Sequence, residues 1–179
     1  VLDEVLTRAF PAPPQDLTTT PVRLAVLVSS PLRHLLASVR VHGLRRGLHV
    51  TVHEGPYGQL MQSLLDTASA LHRFQPTAVL VALDAMHIGS NFHSAMPAAE
   101  VESRYAAAWV QIEQLWRQAQ ALSCGPVLHQ APLPIIPTVL GENEHRLPGS
   151  PTTIVARFAS DLRARADRAG VHVVAVDTR

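Results

Sequence analysis

The chain has no lysine: all 15 basic residues among its 179 are arginine. That absence removes phosphate loops built on a lysine, Schiff-base chemistry, and receiver-type sites that need an aspartate–lysine pair. Cysteine is nearly absent too. Cys124 stands alone, so neither an internal disulfide nor a multi-cysteine metal site can form, and a reducing cytoplasmic setting is expected. It falls between a helical stretch and an apolar run, where a small buried thiol is common. Charge is scarce, at 16% of residues against 47% hydrophobic, and the net value is only +1. The arginines are spread among acids, so no nucleic acid partner is expected. No run approaches the ~18 apolar residues of a membrane span, and no charged-then-apolar leader opens the sequence, so no membrane partner is expected either. What is present is enough apolar chain for one domain with a sizeable core.

Residues 2–10 are amphipathic, with Asp3 and Glu4 in the first turn of an expected helix that Pro11, Pro13 and Pro14 terminate. The division expected is an appendage over 1–20 packed on a domain over 21–179. Apolar runs at 22–28, 48–53, 78–83, 125–130 and 171–176 have the length of strands, and helical periodicity fills the intervals. Pro31 suits a first helical position, followed by Leu32, Leu35, Leu36, Val39 and Leu44 on one face and Gly47 as the stop. Residues 59–74 form one expected helix on Leu60, Leu64, Leu65, Ala68 and Leu71. Residues 98–123 form another on Val101, Tyr105, Ala108, Ile112, Leu115 and Ala119. The last covers 151–169, with Gly170 as its stop. Residues 87–97 and the proline-rich 131–150 read as loops, the longer one a candidate for function. Strands alternating with helices give the α/β class: a three-layer α/β/α sandwich around a five-stranded parallel sheet.

In such a sheet the carboxyl ends of the strands line the ligand crevice. The first strand runs directly into Ser29 and Ser30, and the third directly into Asp84. A hydroxyl there sits beside a helix N-terminus that favours a developing oxyanion, or else caps that helix; one serine can do each. Asp84 can orient a histidine, stabilise a cation or cap the following turn. Gly55, Tyr57 and Gly58 follow the second strand onto the same rim, where glycine lets backbone N–H groups approach a ligand. A serine nucleophile needs a base, and of ten histidines only His87, His93, His129 and His145 fall near strand ends or in the long loop. The spacing of His87 and His93 matches no zinc pattern, so neither metal nor cofactor is expected.

The run from Ser30-Pro31-Leu32 through His53-Glu54-Gly55-Pro56-Tyr57-Gly58-Gln59, Asp66 and Phe74-Gln75-Pro76 to Asp84 resembles the N-terminal domain of FkbH-like proteins, a likeness extending from about Val22 to Asp177. The resemblance implies an SGNH/GDSL-hydrolase-like, flavodoxin-like fold. It places Ser29 or Ser30 at the nucleophile position and Gly55 or Gly58 at the glycine, with Asp84 replacing an asparagine. Asp177 stands where an Asp-x-x-His element would begin, but no histidine follows in the sequence, and the Gly-Asp-Ser and Gly-x-Asn-Asp signatures are absent. The implied triad is incomplete.

FkbH-like proteins continue into a HAD-type phosphatase domain, and the family is associated with loading a glyceryl unit onto an acyl carrier protein for polyketide extender units such as methoxymalonyl. The implied function is recruitment of substrate or carrier protein by a degenerate hydrolase site, with Ser30, Ser29, Asp84 and His87 at its chemical centre. Gly55, Tyr57, Gly58 and His145 would contact a small acyl or glyceryl substrate. The alternatives are a free-standing SGNH-type serine esterase or acyltransferase, its base a histidine from the proline-rich loop, and a structural α/β domain that packs on a partner.

Overall fold

In the computed structural model, which describes residues 2–13 and 16–176, strand β1 (Thr20–Val28) lies between β2 (Leu48–Glu54) and β3 (Ala78–Ala82). Strands β4 (Val127–Gln130) and β5 (His172–Val174) extend the sheet outward from β3, and every pairing is parallel. The order β2-β1-β3-β4-β5 is the flavodoxin-like arrangement, whose topological switch point lies between β1 and β3. The connections are the helices α1 (Leu2–Ala9), α2 (Arg33–Leu44), α3 (Leu60–Leu65), α4 (Ala70–Phe74), α5 (Ala85–Gly89), α6 (Ala98–Leu122) and α7 (Pro151–Ala169), with a 3-10 turn at Gly141–Arg146.

Alternation along the strands decides which face each side chain joins. Val79, Val81, Val127 and His129 turn to one face, where α3, α4, α6 and α7 bury them beneath Leu64, Leu71, Trp109, Trp116, Phe158 and Leu162. Trp109 stacks on Phe158 at a centroid distance of 4.5 Å and meets Trp116 edge-on at 6.1 Å. Trp116 donates its indole N–H to His129 Nδ1 at 2.8 Å. The opposite face carries Leu24, Val26, Val28, Val50, Ala78 and Ala82, with Leu32 and Leu36 at the α2 end packed against them. Helix α1 lies on α2, and Ser38 Oγ donates to Asp3 Oδ2 at 2.5 Å.

Gly125 is required where the chain enters β4: a Cβ there would stand 2.1 Å from the Thr77 carbonyl oxygen, too close for any side chain. Gly170 ends α7 in the left-handed conformation, φ 67°, as its stop position predicts.

Several expectations are corrected. The single helix over 59–74 is two, because Asp66 Oδ1 accepts the Ala68 N–H and Ser69 caps α4 by accepting from His72, which diverts the backbone between them. The loop expected over 87–97 begins inside α5. Helix α2 starts at Arg33 with Leu32 at the N-cap position and no side-chain cap, so neither serine caps it and Pro31 lies outside it. Leu35 and Val39, expected on one apolar helix face with Leu32, Leu36 and Leu44, are 45% and 36% exposed. On α6 the deepest residues include Trp109 and Trp116, while Ala108 and Ile112 are only half-buried. Cys124 is exposed. Asp177 lies outside the described residues. Among the described residues no helix is long and apolar enough to cross a membrane.

Candidate active-site crevice

Strands β1 and β3 are paired to their last residues, so the segments leaving them emerge side by side. Ser29 continues the ladder by donating its N–H to the Ala82 carbonyl at 3.1 Å, and Asp84 returns the tie by donating its N–H to Ser29 Oγ at 2.8 Å. Ser29 is buried and its hydroxyl oxygen is committed to this join. Asp84 sits at the N-cap of α5 with extended backbone, and its Oδ1 accepts the His87 backbone N–H at 2.7 Å. Burial works to raise the Asp84 pKa. Hydrogen bonding from the Ser30 hydroxyl, the His87 N–H and the Ser29 hydroxyl, together with the nearby His87 charge, outweighs burial and holds the carboxyl below its usual range.

Ser30 is half-buried and opens onto a crevice of about 260 Å³ at the carboxyl ends of β1, β3 and β4. Asp84 and Gln130 supply its other polar groups, and Met86, Leu133 and Ile135 are among its apolar walls. Gln130 was not singled out from sequence. The signal was there, because it is the polar residue that ends the fourth apolar run, just as Ser29 and Asp84 follow the first and third.

The other expected site residues lie elsewhere. His87 joins Asp84 through its backbone, and its exposed side chain borders a separate cavity of about 270 Å³ beneath α5, α6 and α7, with Phe92, Arg104, Trp109 and Phe158 in its lining. Gly55 follows β2 and is buried, its N–H already donated to the Val26 carbonyl at 3.1 Å. Tyr57 is 67% exposed, and Gly58, at φ 73°, has open space around it; neither lines the crevice. His145 is exposed in the 3-10 turn, with its Nδ1 at 3.1 Å from the Glu142 carbonyl oxygen. His93 is exposed, and His129 is sealed in the core beneath Trp116 and Phe158.

The long loop is anchored by Glu144, whose buried carboxylate accepts the Val139 N–H, the Leu140 N–H at 2.7 Å and the Ser150 hydroxyl. These bonds hold its pKa down, that of Ser150 most strongly.

The crevice therefore offers one hydroxyl, one ionised carboxylate and one amide. An ionised aspartate repels phosphate and accepts readily from hydroxyl and amide donors, so the pocket suits a neutral, hydrogen-bonding ligand. No imidazole is among its lining residues, and a carboxylate with a lowered pKa is a poor base for a serine hydroxyl. Among the described residues no group of three histidine, cysteine, aspartate or glutamate side chains is placed to hold a metal ion.

No curated protein matches the sequence. The structure superposes on the crystal structure of the N-terminal part of the protein BF1531 from Bacteroides fragilis, which contains a phosphatase domain and is complexed with Mg. The TM-score is 0.78 at 15% identity, over 98% of this chain and 45% of that one, so the present chain spans less than half of its length. A second solved chain superposes more loosely, with a TM-score of 0.46 at 12% identity over 88% of this chain and 84% of its own. The family model for the FkbH N-terminal domain matches residues 23–176, nearly the whole β1-to-β5 unit. By that match the chain belongs to the FkbH N-terminal domain family.

Proposed function

We propose that this domain serves a FkbH-like protein in polyketide extender-unit formation by holding the carrier-linked three-carbon unit, and that it does so without hydrolysing it. The observation that carries the reading is the state of the two serines. Ser29 Oγ is an acceptor for the Asp84 N–H, and Ser30 faces a carboxylate held below its usual pKa, in a crevice with no histidine among its lining residues. A hydrolase needs a base that takes the serine proton near neutral pH. Here the same atoms form a recognition site for hydroxyl and amide groups, the groups that a glyceryl unit and the amide-rich arm of a carrier protein present. The exposed Met86, Leu133 and Ile135 offer an apolar margin for the carrier itself. The Asp84 charge disfavours a ligand still bearing phosphate, so binding would come after phosphate removal rather than before it.

The test is titration of the chain with a carrier protein in its arm-bearing and arm-free forms, beside exposure to a fluorophosphonate probe. The expected result is tighter binding of the arm-bearing form, weakened about tenfold (about 1.4 kcal/mol) by Ser30→Ala, and no covalent labelling. Fluorophosphonate labelling that Ser30→Ala abolishes would overturn the reading in favour of a serine esterase. Equal affinity for the two carrier forms would remove the crevice from recognition.

A further inference from the structure

Over the whole sequence arginines and acids nearly balance, but the balance is not local. Between Leu17 and His53 there are five arginines and no aspartate or glutamate, so this stretch is +5 in a chain of net +1 and the rest is −4. It folds into β1, α2 and β2. On the other face of the sheet the arginines of α6 and α7 are neutralised: Arg104, Arg157 and Arg165 lie 2.7, 2.5 and 2.7 Å from Glu100, Glu102 and Glu113. Arg40 and Arg45, by contrast, have no carboxylate partner among the described residues. Both line a cavity of about 450 Å³ between α1, α2 and β2. Helices α1 and α2 touch where Ser38 donates to Asp3, and the cavity opens beyond that contact, toward Phe10 and Arg45. Leu6, Phe10, Val41, Leu44 and Val50 make its apolar lining, His49 joins the two arginines as a third basic group, and no acid is among the described lining residues. Phe10 keeps 47% of its surface in water, an exposure that an aromatic ring gives up favourably to an apolar partner.

We propose that this groove docks an acidic amphipathic helix of a partner protein, with the apolar stripe of that helix on Phe10 and Leu44 and its carboxylates on Arg40 and Arg45. Charge selects the sign of the partner. Two guanidiniums without counter-ions, in a lining that holds no acid, repel cations and favour carboxylates. The apolar lining selects its kind. A phosphate backbone would leave Leu6, Phe10 and Leu44 uncovered, and a bilayer takes up a projecting apolar face rather than a slot between two helices. A helix brings both parts together, with apolar side chains at i, i+3 or i+4 and carboxylates beside them. Arginine suits the contact better than lysine, because its planar fork gives a carboxylate two parallel hydrogen bonds. The inference stands on the charge distribution and the groove, and not on what the Ser30–Asp84 crevice holds.

The experiment uses the full natural polypeptide, purified, and reads the fluorescence anisotropy of a labelled synthetic peptide with leucine at helical spacing and glutamate on the flanks. A peptide of the same composition in scrambled order, a single-stranded oligonucleotide and phosphatidylglycerol vesicles are measured beside it. The expected result is saturable binding of the ordered peptide that weakens as salt rises. Arg45→Glu should weaken it about tenfold (about 1.4 kcal/mol), and Phe10→Ser by a similar factor, while far-UV circular dichroism stays native. Arg168→Glu, at an exposed arginine of α7, makes the same change in net charge and should leave binding unaltered. No binding, an equal loss with Arg168→Glu, equal binding of the scrambled peptide, or tighter binding of the oligonucleotide or the vesicles overturns the proposal. Ser30→Ala should leave the peptide bound, so failure here leaves the recruitment reading standing, and the reverse also holds.

Discussion

Two faces of one sheet, made by alternate residues of the same strands, have different packing. Toward α6 and α7, Val79, Val81 and His129 are shut away completely beneath two tryptophans and Phe158. One residue along each strand, Leu80, Leu128 and Val174 keep part of their surface in water. At these positions the first face is closed and the second is partly open. The crevice of Ser30, Asp84 and Gln130 lies at the margin of the second, so changes there can alter binding with little effect on folding.

The comparison breaks most readily at the sealed face. Trp116→Ala removes a fully buried ring and the hydrogen bond to His129, and is expected to cost about 3–5 kcal/mol in urea denaturation. A loss under about 1 kcal/mol would mean that this face is not the stability reserve. His129 gives a pH-dependent version of the same test. Burial lowers its pKa to about 4 from an ordinary 6.5. Below pH 6.5 the unfolded chain takes up a proton that the native ring refuses, so stability declines as pH falls from 6.5 toward 4, by about 3 kcal/mol in all. His129→Gln, which keeps an acceptor for Trp116, should flatten that slope in urea midpoints measured between pH 7 and 5.

At the margin, Ser29→Ala strands the Asp84 N–H and is expected to cost about 1–3 kcal/mol. Ser30→Ala should leave the melting temperature nearly unchanged, and thermal scans of the two variants sharpen the distinction between join and crevice. On the partly exposed face, Leu128→Lys should cost far less than Trp116→Ala, within about 1 kcal/mol, because a lysine stem can lie along half-exposed surface with its head in water. A cost comparable to that of Trp116→Ala would show that this face is as closed as its reverse.

Much of this was legible in the sequence, for reasons that also explain the gaps. Strand runs and helix stops are local signals, and Pro151 to Gly170 marks the limits of α7 almost residue for residue. The break between α3 and α4 escaped notice because Leu64, Ala68 and Leu71 keep helical spacing through a turn that Asp66 and Ser69 impose by hydrogen bonding to backbone. The exposure of Leu35 and Val39 was not foreseen because periodicity reports an apolar stripe and says nothing about whether a neighbour covers it. The same blindness hid the partial exposure of Leu80, Leu128 and Val174. At the site, the convergence of Ser29, Ser30 and Asp84 follows from strand order, whereas the placement of His87 and His145 depends on where loops turn, which spacing does not encode.

Glu144 gathers three donors from both ends of its turn and so cinches the proline-rich segment into a hoop. Val139 and Leu140, carried on it at 73% and 45% exposure, are thereby offered as a preformed wedge. A partner that seats against them is spared much of the entropy of ordering that stretch, so its grip would respond sharply to acid strong enough to neutralise this one carboxylate.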